Sequence, residues 1–372
     1  MTDRDMKKPT FKDRFLRMSS VAVRNDFLVA ALVTVCVIML GTAIGWENNK
    51  VIPANPDPTV HYSQTRGQKL TFLSNWDGPD YLRIAEHGYQ DIYDSSFFPL
   101  YPLTVHIVAA VVDSYLYSGL FVAWAALVGA AYYYLKIVKQ VFKLKDNAEA
   151  VRALMLFMLF PTALFLFVTY TESLFALFSL AAIYYALKSR FILSAALALF
   201  ATAAHFNGIF IVAFIALIAF EQRIELRKII GIIVIGCIGL IGYMTYLQHR
   251  FNNMFAFVTA QHVHGWLRYG YSDFFHDYVS LNGLFILTAI SATIYWWPRR
   301  KSFALYSFFY LSIPLLGGVG AYGRYALMIF PFQFMLYDKF RKNQLGYAAI
   351  MAIFGVFWAF FMLQFAAGYS GG

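Results

Sequence analysis

The fifteen residues NWDGPDYLRIAEHGY, Asn75 to Tyr89, hold three carboxylates, a histidine and three aromatic side chains. Asp77 stands out among them. A carboxylate set between Trp76 and Gly78-Pro79 can take a proton from a hydroxyl when partial burial tunes its affinity for that proton. The same position suits the N-cap of a short helix, since Asp caps well and Pro favours the first turn. The two roles are compatible, because a cap also fixes where the carboxylate sits. Within that helix Tyr81, Ile84, Ala85 and Tyr89 fall on one side.

Four more short stretches carry polar chemistry. Glu172 lies in the turn Tyr170-Thr171-Glu172-Ser173 after an apolar run, and an acid at membrane depth is costly enough to point to function. Thr171 or Glu172 could equally cap the next helix. His205 and Asn207 flank Phe206, with Gly208 allowing the bend. His262, His264 and Arg268 in and after AQHVHGW, and Arg324 in GRY, add donors and cations. Arginine's planar fork matches phosphate oxygens; the alternative for Arg324 is a side chain snorkelling to an interface. No HExxH or comparable spacing occurs, and His262 and His264 would diverge on a helix, which argues against a metal cage. Acids beside cations suggest a reaction between a lipid phosphate and a hydroxyl. A base would take the hydroxyl proton while cations stabilise the departing phosphate.

The elements that must position these groups are membrane helices. Hydrophobic residues make up 60% of the 372 and charged residues 13%, against roughly 25% charged in a soluble domain, and the mean hydropathy is +0.57. The net charge of +10 is not a nucleic-acid signature. Its cations cluster before the first apolar run (Arg4 to Arg24) and at Lys136–Arg152, Lys188–Arg190, Arg223–Lys228, Arg299–Lys301 and Lys339–Lys342, which is the positive-inside pattern. Cys36 and Cys237 lie in apolar runs and form no disulfide framework.

Those basic loops predict a cytoplasmic, basic N-terminus over 1–25 and one transmembrane domain over 26–372. Its eleven spans fall near 26–45, 118–138, 151–169, 173–188, 191–206, 208–220, 229–247, 281–297, 303–317, 325–337 and 345–366. Counting 97–112 as a twelfth would reverse every later loop, so it is placed on the outer side as a shallow or re-entrant helix, within an outer loop of about 46–117. Pro99 and Pro102 suit a helix that starts at an interface. All five polar stretches then fall on the outer, non-cytoplasmic face.

In order, WDGPDYLRIAEHGY, FFPLYPL, FPTALFLFVTYTESLFALFSL, HFNGIF, FAFVTAQHVHGW and GRYALMIFPF resemble the PIG-V type mannosyltransferases, relatives of GPI mannosyltransferase 2 in the GT-C superfamily. The likeness runs from about 75 to 335. It implies an all-α polytopic GT-C-like bundle with juxtamembrane helices in the first outer loop. It also implies inverting transfer of mannose from a polyprenyl-phosphate carrier to an acceptor hydroxyl on a glycolipid or protein, with Asp77 as base. The binding set implied is Trp76, Asp80, Tyr101, Tyr170, Glu172, His205, Asn207, Gln261, His262, His264, Trp266, Arg324 and Tyr325. The resemblance fixes no cofactor and leaves a divalent metal open. A divalent ion, used by some of the superfamily, would find one carboxylate per turn a poor cage.

Two departures matter. His205 stands where the family commonly has Arg, which would make a phosphate contact there pH-dependent, and Gly78 replaces a frequent Ala. The compact chain, without large insertions, looks prokaryotic, which suggests a plasma membrane and an acceptor other than a GPI precursor. Against transfer stands a transporter or flippase of lipid-linked sugars. That reading expects internal repeats and mid-depth polar groups, and neither is found.

Overall fold

The computed structural model describes residues 11–48, 52–61, 68–263, 281–313 and 322–369. Among them the regular structure is helical, with one antiparallel bridge between His61 and Asn75. The helices are α1 (Phe11–Trp46), α2 (Asp77–His87), α3 (Leu100–Val112), α4 (Tyr115–Phe142), α5 (Asn147–Met158), α6 (Glu172–Leu187), α7 (Phe191–Ala204) and α8 (Gly208–Glu221). They continue with α9 (Leu226–Phe251), α10 (Ala256–Val263), α11 (Leu281–Trp296), α12 (Lys301–Phe309), α13 (Tyr322–Ala326), α14 (Phe330–Phe340) and α15 (Gln344–Ala366). Among the described residues, four helices, α4, α9, α15 and the part of α1 from Asn25, are long and apolar enough to cross a bilayer; α3, α6, α7, α8 and α11 are apolar but shorter. The chain is an all-α polytopic membrane protein.

Small residues set the packing. Ala123, Ala126, Ala130 and Ala131 of α4, Ala181, Ala182 and Ala186 of α6, and Ala195, Ala198 and Ala201 of α7 are all buried. Such seams let backbones approach closely where lipid gives no hydrophobic drive to associate. They run along the contacts of α4 with α6 and α6 with α7.

The thirteen residues of α3 make a rod of about 20 Å, well short of a hydrocarbon core of about 30 Å. The helix packs on α2 and α4 and leaves Leu103, Ile107 and Val111 exposed along one side. Its length does not set it apart from α7 and α8, at 14 residues each.

Two expected spans are broken. The run at 151–169 is helical only to Met158, then continues as an unwound stretch with a 3-10 turn at Ala163–Leu166. Pro161 explains the stop, because proline forbids the preceding residue helical backbone and removes a donor. The run at 325–337 divides into α13 and α14 around Leu327–Ile329, just before Pro331. Irregular backbone survives in a membrane bundle only where protein satisfies it. Here Trp124 donates from Nε1 to the Phe167 carbonyl at 2.8 Å, and Tyr306 donates to that of Met328 at 2.8 Å. Gln333 donates from Nε2 to the Leu327 carbonyl at 3.1 Å. The run at 303–317 is helical over α12, and its end passes into residues outside those described.

Candidate active site

Both broken segments point their ends at one corner. The bridge to His61 leads the chain into Asn75, whose buried amide donates to the Phe365 and Ala366 carbonyls at 2.7 and 3.2 Å. Trp76 then turns with φ 57°, a sparsely populated backbone for a bulky residue. Gly78 is needed at the next turn, because a Cβ there would stand 2.6 Å from Thr169 Oγ1 and 2.9 Å from Ser74 Oγ. Those hydroxyls bond each other at 2.8 Å.

Asp77 is therefore the first residue of α2 and not its cap: the cap position is Trp76, and no side chain bonds across it. The expected capping role is corrected, and the carboxylate is turned elsewhere. Arg324 Nη1 donates to Asp77 Oδ2 at 2.6 Å, and Arg324 Nε lies 3.2 Å from Glu172 Oε1. The second pair is an ion contact without hydrogen-bond alignment, since Nε lacks an aligned acceptor. Glu172 Oε2 is buried with no hydrogen-bond partner. The Asp77 side chain keeps 20% of its surface exposed against 5% for Glu172, so Asp77 is the carboxylate a substrate can reach.

Each member is held from the unwound stretches. The Asp77 amide donates to Tyr170 Oη at 3.1 Å, and that hydroxyl donates to the Asn75 carbonyl at 3.3 Å. Thr162 donates to the Gly323 carbonyl at 2.7 Å, fixing α13 and with it Arg324. The rings of Tyr170, Tyr325 and Phe165 surround the guanidinium at 5.5, 5.5 and 5.8 Å, a cation–π setting.

The HFNG turn reaches the same corner. Thr171 donates to the Ala204 carbonyl at 3.0 Å, and the His205 ring packs against Phe175 and Tyr325. His205 Nδ1 accepts the Asn207 amide at 3.0 Å, which leaves the ring proton on Nε2. Asn207 is buried beside it.

Other expected residues stand further back. Tyr101 is fully buried, donates to the Gly119 carbonyl at 3.0 Å and packs on Tyr81, so it walls the site from behind. Asp80, one turn along α2, accepts from Arg83 at 2.9 Å, and Arg83 also binds Asp94 at 2.5 Å. Burial pushes the Asp80 carboxyl up, against the pull of Arg83. Gln261 and His262 end α10, whose Phe257 packs on Phe98 and Phe206 next to the HFNG turn. His264, Trp266 and Arg268 lie outside the described residues.

Asn75, Thr162, Thr169 and Arg83 belong to the site's support and were not singled out from the sequence. Asn75 had a signal, its place directly before Trp76-Asp77; a hydroxyl such as Thr162 had none. Among the described residues no three His, Cys, Asp or Glu side chains gather as metal ligands. Asp77 and Glu172 instead share one guanidinium.

A profile described as Mannosyltransferase (PIG-V) matches residues 26–310. Over 152 residues the chain is 32% identical to the human protein GPI alpha-1,6-mannosyltransferase 2; that stretch is 38% of this chain and 31% of the relative. The matched stretch thus spans less than a third of the length of that curated relative.

Proposed function

The chain belongs to the PIG-V mannosyltransferase family, and from that premise we propose that it is a membrane glycosyltransferase that transfers mannose from a polyprenyl-phosphate-mannose donor to an acceptor hydroxyl. Asp77 takes the hydroxyl proton as the oxygen attacks the anomeric carbon. The bond from that carbon to the phosphate oxygen breaks, and polyprenyl phosphate leaves with the electron pair. Arg324 meets the charge that grows on the leaving oxygen. A single displacement inverts the anomeric centre. His205, Glu172, Gln261 and His262 position sugar or acceptor, a glycolipid or glycoprotein on the non-cytoplasmic face.

The observation that carries this reading is the reachable Asp77 carboxylate lying 2.6 Å from Arg324, a base and a phosphate partner brought together from distant parts of the chain. The test uses purified protein, radiolabelled polyprenyl-phosphate mannose and a panel of acceptor glycolipids and peptides. Labelled product is expected from the native protein, and Asp77→Asn should make about 10²–10⁴-fold less while still eluting as a folded species. An active, folded Asp77→Asn enzyme removes Asp77 as base.

A further inference from the structure

We propose that Arg324 exchanges partners: a lipid phosphate takes the guanidinium from Asp77, and the carboxylate released is the form that accepts the hydroxyl proton. The proposal rests on the donor reading above and goes beyond it by making the base available only once phosphate is bound.

Three features of the corner support it. First, an oxygen held 2.6 Å from a guanidinium has its lone pair engaged by a charge-assisted hydrogen bond, which suits a resting state better than proton abstraction. Second, the site holds no spare cation among the described residues nearby. Arg83, the other arginine of the corner, is divided between Asp80 and Asp94 at 2.9 and 2.5 Å. Among the described residues, an anionic phosphate brought beside Asp77 and Glu172 therefore draws on Arg324. Third, Arg324 is built to turn. Its Nε sits 3.2 Å from Glu172 Oε1 without hydrogen-bond alignment, and Glu172 Oε2 is buried and unpartnered. Three aromatic faces hold the guanidinium by attraction that does not fix its direction. Glu172 serves as the pivot and Asp77 as the partner given up.

The coupling is reciprocal. Whatever phosphate gains by taking Arg324, an acceptor hydroxyl gains from the freed carboxylate, so donor and acceptor reinforce each other's binding.

The full chain in nanodiscs, with farnesyl monophosphate as probe, separates this from simple charge effects. Asp77→Asn releases Arg324 in advance and should tighten binding about tenfold. Asp80→Asn makes the same charge change one turn away, on a carboxylate held by Arg83, and should tighten it less than threefold. Adding Arg324→Gln to Asp77→Asn should erase the gain. Unchanged or weaker binding by Asp77→Asn overturns the exchange, as does an equal gain from Asp80→Asn or no binding by any variant. Asp77→Ser gives the same reading should Asp77→Asn fail to fold. Transfer activity retained in Asp77→Asn would remove the base while leaving the exchange standing; a flat binding response would do the reverse.

Discussion

The two ends of α4 carry the same kinds of charged residue and use them differently. Near Gly119, against Tyr101 and Thr169, lies the corner with Asp77, Glu172 and Arg324. Some 20 residues on, about 30 Å along the helix, Lys136 and Lys139 clamp Asp26 of α1, and Lys139 also binds Asn147. Arg152 there pairs with Glu149 at 2.8 Å, lies over the Tyr347 ring and donates to the Arg341 carbonyl. Tyr337 closes the group by donating to Glu149 at 2.9 Å. At that end each of these acids is held by one or two cations, and the contacts staple helices together. At the Asp77 end two carboxylates share one cation, Glu172 Oε2 and Trp76 Nε1 are buried unbonded, and Trp76 is strained. Closed networks hold the bundle; the open one is the corner proposed above to meet substrate.

Substitutions at the two ends should then separate activity from stability. The largest effect belongs to Asp77→Asn, with transfer falling by about 10²–10⁴-fold and no loss of melting temperature. Asp26→Ala is the counterpart. It strands two partly buried lysines and should cost about 3 kcal/mol in a thermal unfolding assay, while the transfer rate per folded molecule stays unchanged. A loss of rate there instead would end the contrast. Gly78→Ala sharpens it from the other side. The added methyl must displace the Thr169 and Ser74 hydroxyls, costing about 1–3 kcal/mol and lowering transfer, because the same turn aims Asp77.

How much of this was readable depends on distance along the chain. Asp77, Glu172 and Arg324 stand out because ionisable groups in an apolar sequence need a reason to be there. The helical membrane fold follows from the same apolar runs. The breaks at Pro161 and Pro331 were misread as continuous spans, since hydropathy registers how apolar a run is and not whether its backbone can coil. Asn75 and Thr162 were opaque for another reason. Their partners lie 290 and 161 residues away, and nothing local distinguishes them from any other amide or hydroxyl.

The amide of Asn75, bonded to the carbonyls at the end of α15, also orders events during synthesis. The corner that aims Asp77 emerges from the ribosome early, but its anchor is made only after some 290 more residues have followed. Until α15 inserts, the nascent chain holds its carboxylate unaimed and Arg324 is newly arrived. The corner around Asp77 therefore takes its described shape only once α15 has been made.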